Sequence, residues 1–167
     1  MSDARSARLA LPYLEPGQAQ KETFHNEALA RLDLAVQAAV IAVGLDTPPT
    51  SPAVAECWIV GPAPIGAWSG QAEALAGWTA GGWRFVAPIE GMVVWSIADA
   101  TTVRRADGVW TTGVLAVRSV RIDGVQVVAA QQAAVAAPVG GATVDAEARS
   151  AIASVLIALR NHGLIDS

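Results

Sequence analysis

Charge is what this chain lacks most. Asp, Glu, Lys and Arg make up 16% of its 167 residues, against about 25% in ordinary globular domains. Lys21 is the sole lysine, the net charge is −4 and the pI is near 5.0. Nucleic-acid binders neutralise phosphates with clustered Lys and Arg. Here the only tight basic pair in mid-chain is Arg104–Arg105, so no nucleic-acid partner is expected.

Cysteine and histidine are nearly absent as well. Cys57 stands alone, which excludes an internal disulfide. It sits in the apolar run Cys57-Trp58-Ile59-Val60 and reads as a small buried hydrophobe. His25 and His162 lie far apart, and no His/Asp/Glu set has metal-ligand spacing. No Gly-x-Ser-x-Gly elbow occurs, and Ser69-Gly70 has no matching His/Asp context. Glycine pairs fall at turns, never in a phosphate-cradling loop followed by Lys. The β-region carboxylates outside hairpin turns, Glu56, Glu73, Glu90 and Asp99, form no acid/base pattern. The expectation is a protein that is not an enzyme, with no cofactor and no metal.

Long hydrophobic runs are missing too. The stretch Leu34 to Leu45 is interrupted by Gln37 and falls short of the roughly 20 residues that span a bilayer. Met1-Ser2-Asp3-Ala4-Arg5 precedes no apolar segment with a small-residue cleavage site. Membrane insertion and secretion are therefore not expected, and the chain is read as assembled in the cytoplasm. What is abundant is neutral apolar surface: 53% of residues are hydrophobic, much of that Ala and Val. So little charge leaves apolar surface uncovered, and self-association is one way to hide it.

Four regions separate by pattern, and together they predict an α+β fold: a Trp-rich antiparallel β domain, as a small sheet or barrel, flanked by N- and C-terminal helices. Residues 1–17 read as an N-terminal docking arm ending in Pro16-Gly17. Leu11, Tyr13 and Leu14 make it sticky, and it needs a groove on its own subunit or on a neighbour. Residues 18–44 read as a helix in which Leu29, Leu32, Val36, Ala39 and Val43 recur at steps of three and four. Gly44 stops that helix, and Pro48-Pro49 bars its resumption. Residues 54–129 carry all six tryptophans in short apolar runs punctuated by turns. Asp107-Gly108 and Asp123-Gly124 are hairpin signals, since a type I′ turn needs positive φ at both central residues. Residues 143–163 read as a second helix, capped by Thr143, seamed by Ala148, Ile152, Val155 and Leu159, and closed at Gly163 with Leu164 folding back on Leu159.

The tryptophans carry two readings. Trp58 and Trp95 lie inside apolar runs and read as core. Trp68, Trp78, Trp83 and Trp110 stand beside Gly, Ser or Thr, where aromatic faces can stack on sugars. The plainer reading makes them bulk filler for a small sheet poor in Phe and Leu.

The run Leu11-Pro12-Tyr13-Leu14-Glu15-Pro16-Gly17-Gln18-Ala19-Gln20-Lys21-Glu22, with His25-Asn26-Glu27-Ala28-Leu29 and Leu32-Asp33, resembles an uncharacterised family of alphaproteobacterial prophage and gene-transfer-agent structural proteins. The resemblance continues through Ile59-Val60-Gly61, Gly66-Ala67-Trp68 and Trp78 to Gly91, then less strictly to Trp110. Ala148 to Ile165 resembles the terminal helix of such proteins. It implies a place in a virion or phage-like particle: an oligomeric head spike base, or a connector joining a spike or fibre to the capsid. The implied partners are further copies of the chain, as a trimer or pentamer, and capsid or other particle proteins. Leu11, Tyr13, Leu14, Leu29, Leu32, Val36, Val43, Ile152, Val155 and Leu159 are the expected interface residues. The alternative is a glycan-binding module that reads cell-surface polysaccharide through Trp68, Trp78, Trp83 and Trp110.

Overall fold

The computed structural model describes residues 4–15, 17 and 21–166. The chain divides into two units, Met1–Val114 and Leu115–Ser167. All six tryptophans fall in the first. The expected β domain over 54–129 is thus cut at Val114, and its last hairpin belongs to the second unit.

In the first unit, helix α1 spans Lys21–Ala35, with Glu22 in its first turn, where a carboxylate favours the helix dipole. It ends well short of the expected 44. Gln37 adopts a left-handed φ of +46°, and the β-branched Val40, Ile41 and Val43 that follow suit strands better than a helix. Two short strands therefore succeed it, β1 (Ala39–Val40) and β2 (Val43–Leu45). The strands that follow are β3 (Cys57–Val60), β4 (Leu75–Thr79), β5 (Gly82–Val86), β6 (Val93–Ser96), β7 (Thr101–Ala106) and β8 (Val109–Thr112), with a 3-10 turn at Gly66–Trp68.

Two four-stranded sheets result, ordered β1-β6-β7-β8 and β2-β3-β4-β5. Each is an antiparallel meander completed by one parallel strand from the segment after α1: β1 lies parallel to β6 and β2 parallel to β3. Both residues of the Asp107-Gly108 turn between β7 and β8 have positive φ, +53° and +72°. That is the type I′ hairpin its composition calls for.

The principal core joins α1 to both sheets. Leu34 and Ala38 pack with Val40, Cys57, Ile59, Leu75, Val94 and Val103. Gly77 on β4 makes room for it, because a Cβ there would collide with the Leu34 side chain. Strand β3 is buried on both faces. Cys57 and Ile59 serve this core, while Trp58 and Val60 serve a second cluster with Trp68 and Ala76, flanked by Trp78, Trp83 and Phe85. Burial pushes the Cys57 thiol up to about 11, so it is an un-ionised packing group.

The second unit begins with a hairpin of β9 (Val120–Ile122) and β10 (Val125–Val128), turned at Asp123-Gly124 with φ of +49° and +81°. An extended strap, residues 129–144, then leads to helix α2 (Ala146–Asn161). The N-cap is Asp145, whose carboxylate accepts the Ala148 N–H at 2.8 Å. Thr143, the expected cap, lies outside the helix, since the helix starts one residue after Asp145. The C-terminus closes as expected: Gly163 has φ +69°, and the Leu164 N–H reaches the Leu159 carbonyl at 2.9 Å. The strap runs back along α2, held by Arg160 on the Val135 carbonyl at 2.8 Å and by Arg149 on the Gly140 carbonyl.

Candidate functional site

The N-terminal arm is seated on its own helix. The Ser6 N–H donates to the Leu11 carbonyl at 2.9 Å, and Tyr13 N–H reaches the Ala4 carbonyl at 2.8 Å, making a small hairpin. The buried Asp33 carboxylate on α1 accepts three bonds from it: Ser6 Oγ at 2.6 Å, Arg8 N at 3.0 Å and Leu9 N at 2.6 Å. Helix α1 has no basic residue in its last turn. Arg8 supplies one from the arm, its guanidinium donating to the carbonyls of Asp33, Leu34, Val36 and Gln37. Leu11 and Tyr13, expected at an interface, are thereby half-buried within the chain, while Leu14 stays exposed.

Between this arm, α1 and the β4–β5 turn lies a cavity of about 440 Å³, lined by Tyr13, Thr23, Phe24, Glu27, Thr79 and Arg84. Burial alone would push Glu27 up, but hydrogen bonds from Arg84 at 2.6 Å and Arg31 at 3.0 Å outweigh it and hold the carboxyl below its usual range. Tyr13 is pushed up by burial and by the nearby Asp33 charge.

The expected glycan tryptophans turn inward. Trp68 is fully buried, with its ring centroid 6.2 Å from Trp58 and 5.2 Å from Trp83. Trp78 and Trp83 are half-buried in the same cluster, 5.0 Å apart. Trp110 is half-buried and ties the two sheets: its Nε1–H donates to the Glu73 carbonyl at 2.8 Å, beneath the Arg105 guanidinium. Arg105 on β7 in turn grips the Glu73 carboxylate at 2.7 Å. That bond holds the Glu73 carboxyl below its usual range. The tie is therefore complete above the ordinary carboxylate range and is lost as pH falls through the lowered value.

The exposed tryptophan is instead Trp95, which the apolar run Met92 to Ile97 had suggested was core. Strand β6 alternates: Val94 and Ser96 point in, Val93 and Trp95 point out. Ser96 is the buried polar member, its hydroxyl held by Asp99 at 2.6 Å. Trp95 is 47% exposed and pairs with Thr102 on β7. Beside it is a shallow cavity of about 360 Å³ lined by Gln37, Ala38, Val93, Val94, Trp95 and Thr102.

Comparison with known families finds one match, to the family described as "Protein of unknown function (DUF2793)", over residues 25–111. That is just over half of the chain. The chain belongs to the DUF2793 family. Among curated proteins, no sequence matches it. The DUF2793 region runs from within α1 to β8, so it coincides with the helix and both sheets. The arm hairpin and the second unit lie outside the match.

The DUF2793 region also redraws the expected N-terminal seam. Leu29 and Leu32 lie on α1, half-buried and exposed respectively, but Val36 is past its end. Val43 sits in β2, packed against the principal core. The step pattern crosses a helix, a turn and two strands, so no continuous seam exists there. Beyond the DUF2793 region, Ile152 and Val155 are exposed on α2 and Leu159 is half-buried. Sequence reasoning missed the Asp33–Arg8 latch, although an acid between Leu32 and Leu34 on a buried helix face was its signal. Among the described residues, no group of three or more His, Cys, Asp or Glu could hold a metal ion, and no helix is long and apolar enough to cross a membrane.

Proposed function

We propose that this protein is a non-enzymatic structural component of a phage-like particle, an oligomeric head spike base or connector between a spike or fibre and the capsid. One observation carries the oligomeric part of that reading. In the second unit only Leu156 and Ile165 are buried among the hydrophobics, while Leu115, Ile122, Val125, Val139, Val155 and Ile157 stand at least half exposed. A unit this small is stable only when most of its apolar side chains are covered. An isolated two-stranded hairpin such as β9–β10 is marginal in water. Covering by other chains completes what this chain leaves open, and a ring of identical subunits is the ordinary way to do so. The particle placement is supported by the sequence resemblance of the segment from Leu11 to Asp33.

The test is native mass measurement of the purified chain, together with co-sedimentation with particles from cells that make them. A trimer or pentamer that travels with particles is the expected result. A monomer at micromolar concentration, absent from particles, overturns the reading.

A second reading, binding of cell-surface polysaccharide, moves from the buried Trp68 and the half-buried Trp78, Trp83 and Trp110 to Trp95. Its exposed ring beside the Gln37 amide and the Thr102 hydroxyl suits stacking on a sugar face with hydrogen bonds at the edge. Trp95→Ala is expected to abolish retention on immobilised polysaccharide while leaving the thermal unfolding midpoint within a few degrees. Undiminished retention removes this reading.

A further inference from the structure

Two Asp-Gly pairs turn hairpins in this chain, and both are followed by valine: Asp107-Gly108-Val109 and Asp123-Gly124-Val125. The pair is chemically reactive. The glycine nitrogen can attack the aspartate Cγ, forming a C–N bond in a five-membered succinimide, while the carboxyl OH and the amide proton leave as water. Water then opens the ring at either carbonyl. Opening at the original backbone carbonyl routes the chain through the side chain and leaves an isoaspartyl residue, with no net gain or loss of atoms. Glycine favours the attack because it has no Cβ to obstruct it. By local chemistry the two sites are equals. Both aspartates are exposed, both pairs have positive φ, and a Cβ at either glycine would meet nothing within 4 Å.

What separates them is the host. Ring closure needs rotation about the aspartate Cα–C bond, which a closed hairpin turn resists, so the rate follows how often each turn opens. Asp107 joins β7 to β8 within a four-stranded sheet. Opening there must disturb the buried Val103 and Arg105, the Trp110 Nε1–H on the Glu73 carbonyl at 2.8 Å, and the Asp107 N–H on the Glu90 carboxylate at 3.0 Å. Asp123 joins β9 to β10, which pair only with each other. Every residue of both strands is exposed, and their register shifts between Gln126 and Val128. Among the described residues, no hydrogen bond or ion pair engages the Asp123 carboxylate. A two-stranded hairpin of this kind opens readily in water. We propose that Asp123 is a modification site, converting to isoaspartate as the chain ages, while the sheet around Asp107 preserves that residue. The product lengthens the turn backbone by one carbon and leaves a free α-carboxylate beside it. A protein isoaspartyl methyltransferase esterifies that carboxylate with the methyl group of S-adenosylmethionine, releasing S-adenosylhomocysteine. The proposal stands apart from the oligomeric reading and applies to the chain in whatever assembly it adopts.

The test ages the purified full chain in warm neutral buffer over weeks and digests samples with trypsin. Cleavage after arginine releases the two sites separately, in peptides 106–118 and 122–149. Isoaspartate leaves a peptide's mass unchanged, splits its chromatographic peak and makes it a methyl acceptor for the methyltransferase. The isomer of 122–149 is expected to accumulate about tenfold faster than that of 106–118, because the less protected turn opens more often. Asp123→Glu, whose longer side chain cannot close the five-membered ring, is expected to abolish it. That variant assigns the isomer to Asp123 and not to Asp145 of the same peptide. In guanidinium chloride, where neither turn persists, the two rates are expected to converge. Equal rates in the folded chain, a faster Asp107, no isomer at either site, an isomer that survives in Asp123→Glu, or a bias that persists in denaturant each overturns the proposal.

Discussion

Trp68→Ala is expected to lower stability by about 3–5 kcal/mol, the usual cost of removing a buried large aromatic. The side chain hangs from the 3-10 turn at Gly66–Trp68 and is fully buried. Gly66 enters that turn at φ +59°. Trp68 then covers Trp58 on β3 and meets Trp83 on β5 edge to face, at an interplanar angle of 80°. Without it, the second cluster keeps Trp58, Val60 and Ala76 but loses the group that closes over them. A small domain has only about 5–15 kcal/mol in total, so the variant should unfold at a markedly lower urea midpoint and lose much near-UV dichroism. A variant of parental stability with weakened polysaccharide binding would mean that Trp68 acts at the surface, against the packing described here.

Asp33→Ala is expected to release the N-terminal arm. The carboxylate is buried and accepts from Ser6 Oγ, Arg8 N and Leu9 N. Hydrogen bonds to a charged group contribute about 1.5–3 kcal/mol each, and removing the acceptor strands the donors. The loss should be about 3 kcal/mol or more, concentrated locally. Once the hairpin lifts, Arg8 also leaves the C-terminal carbonyls of α1, and the last helical turn should fray. Limited trypsin digestion reads this directly: cleavage after Arg8 should be rapid in the variant and slow in the parent, with hydrogen exchange accelerated at Leu9 and Leu11. Equal cleavage rates would mean that the arm is held by something other than this latch.

Features encoded by local chemistry were legible in the sequence. Asp107-Gly108 and Asp123-Gly124 turn the chain where expected because few other residue pairs accept positive φ twice in succession. Gly163 and Leu164 close α2 for a similarly local reason. The misreadings arose where distant partners decided. Leu29, Leu32, Val36, Ala39 and Val43 carry a helical spacing, but Ala39 pairs with Trp95 and Val43 with Ile59. Those ladders prevail over the weak helix preference of a Val- and Ile-rich stretch. Trp95 was misjudged because a run of apolar residues reads as buried on both faces, whereas the first sheet is covered at β6 on one face only. Of the four tryptophans beside Gly, Ser or Thr, Trp78, Trp83 and Trp110 lie in strands β4, β5 and β8 and Trp68 in a turn, and a Gly, Ser or Thr neighbour says nothing of depth. Trp68 shows this best, lying in a turn and fully buried. Ala148, Ile152, Val155 and Leu159 fall along one side of α2 because that alignment needs only the helix period. The Asp33–Arg8 latch was not legible, since it joins residues with no shared period.

The short segment that supplies β1 and β2 bears on how the chain matures during translation. It leaves the ribosome directly after α1, and β2 finds its partner β3 soon afterwards. Strand β1 must wait, because its partner β6 is made only after the entire second sheet. Until Val94 and Val103 have emerged, Leu34, Ala38 and Val40 have half of their core missing. A nascent chain halted before Ser96 is thus a sticky half-structure that calls for chaperone cover, and the first unit becomes safe only when β8 is out. The surface of α2 is synthesised last, after the first unit has completed its own interior.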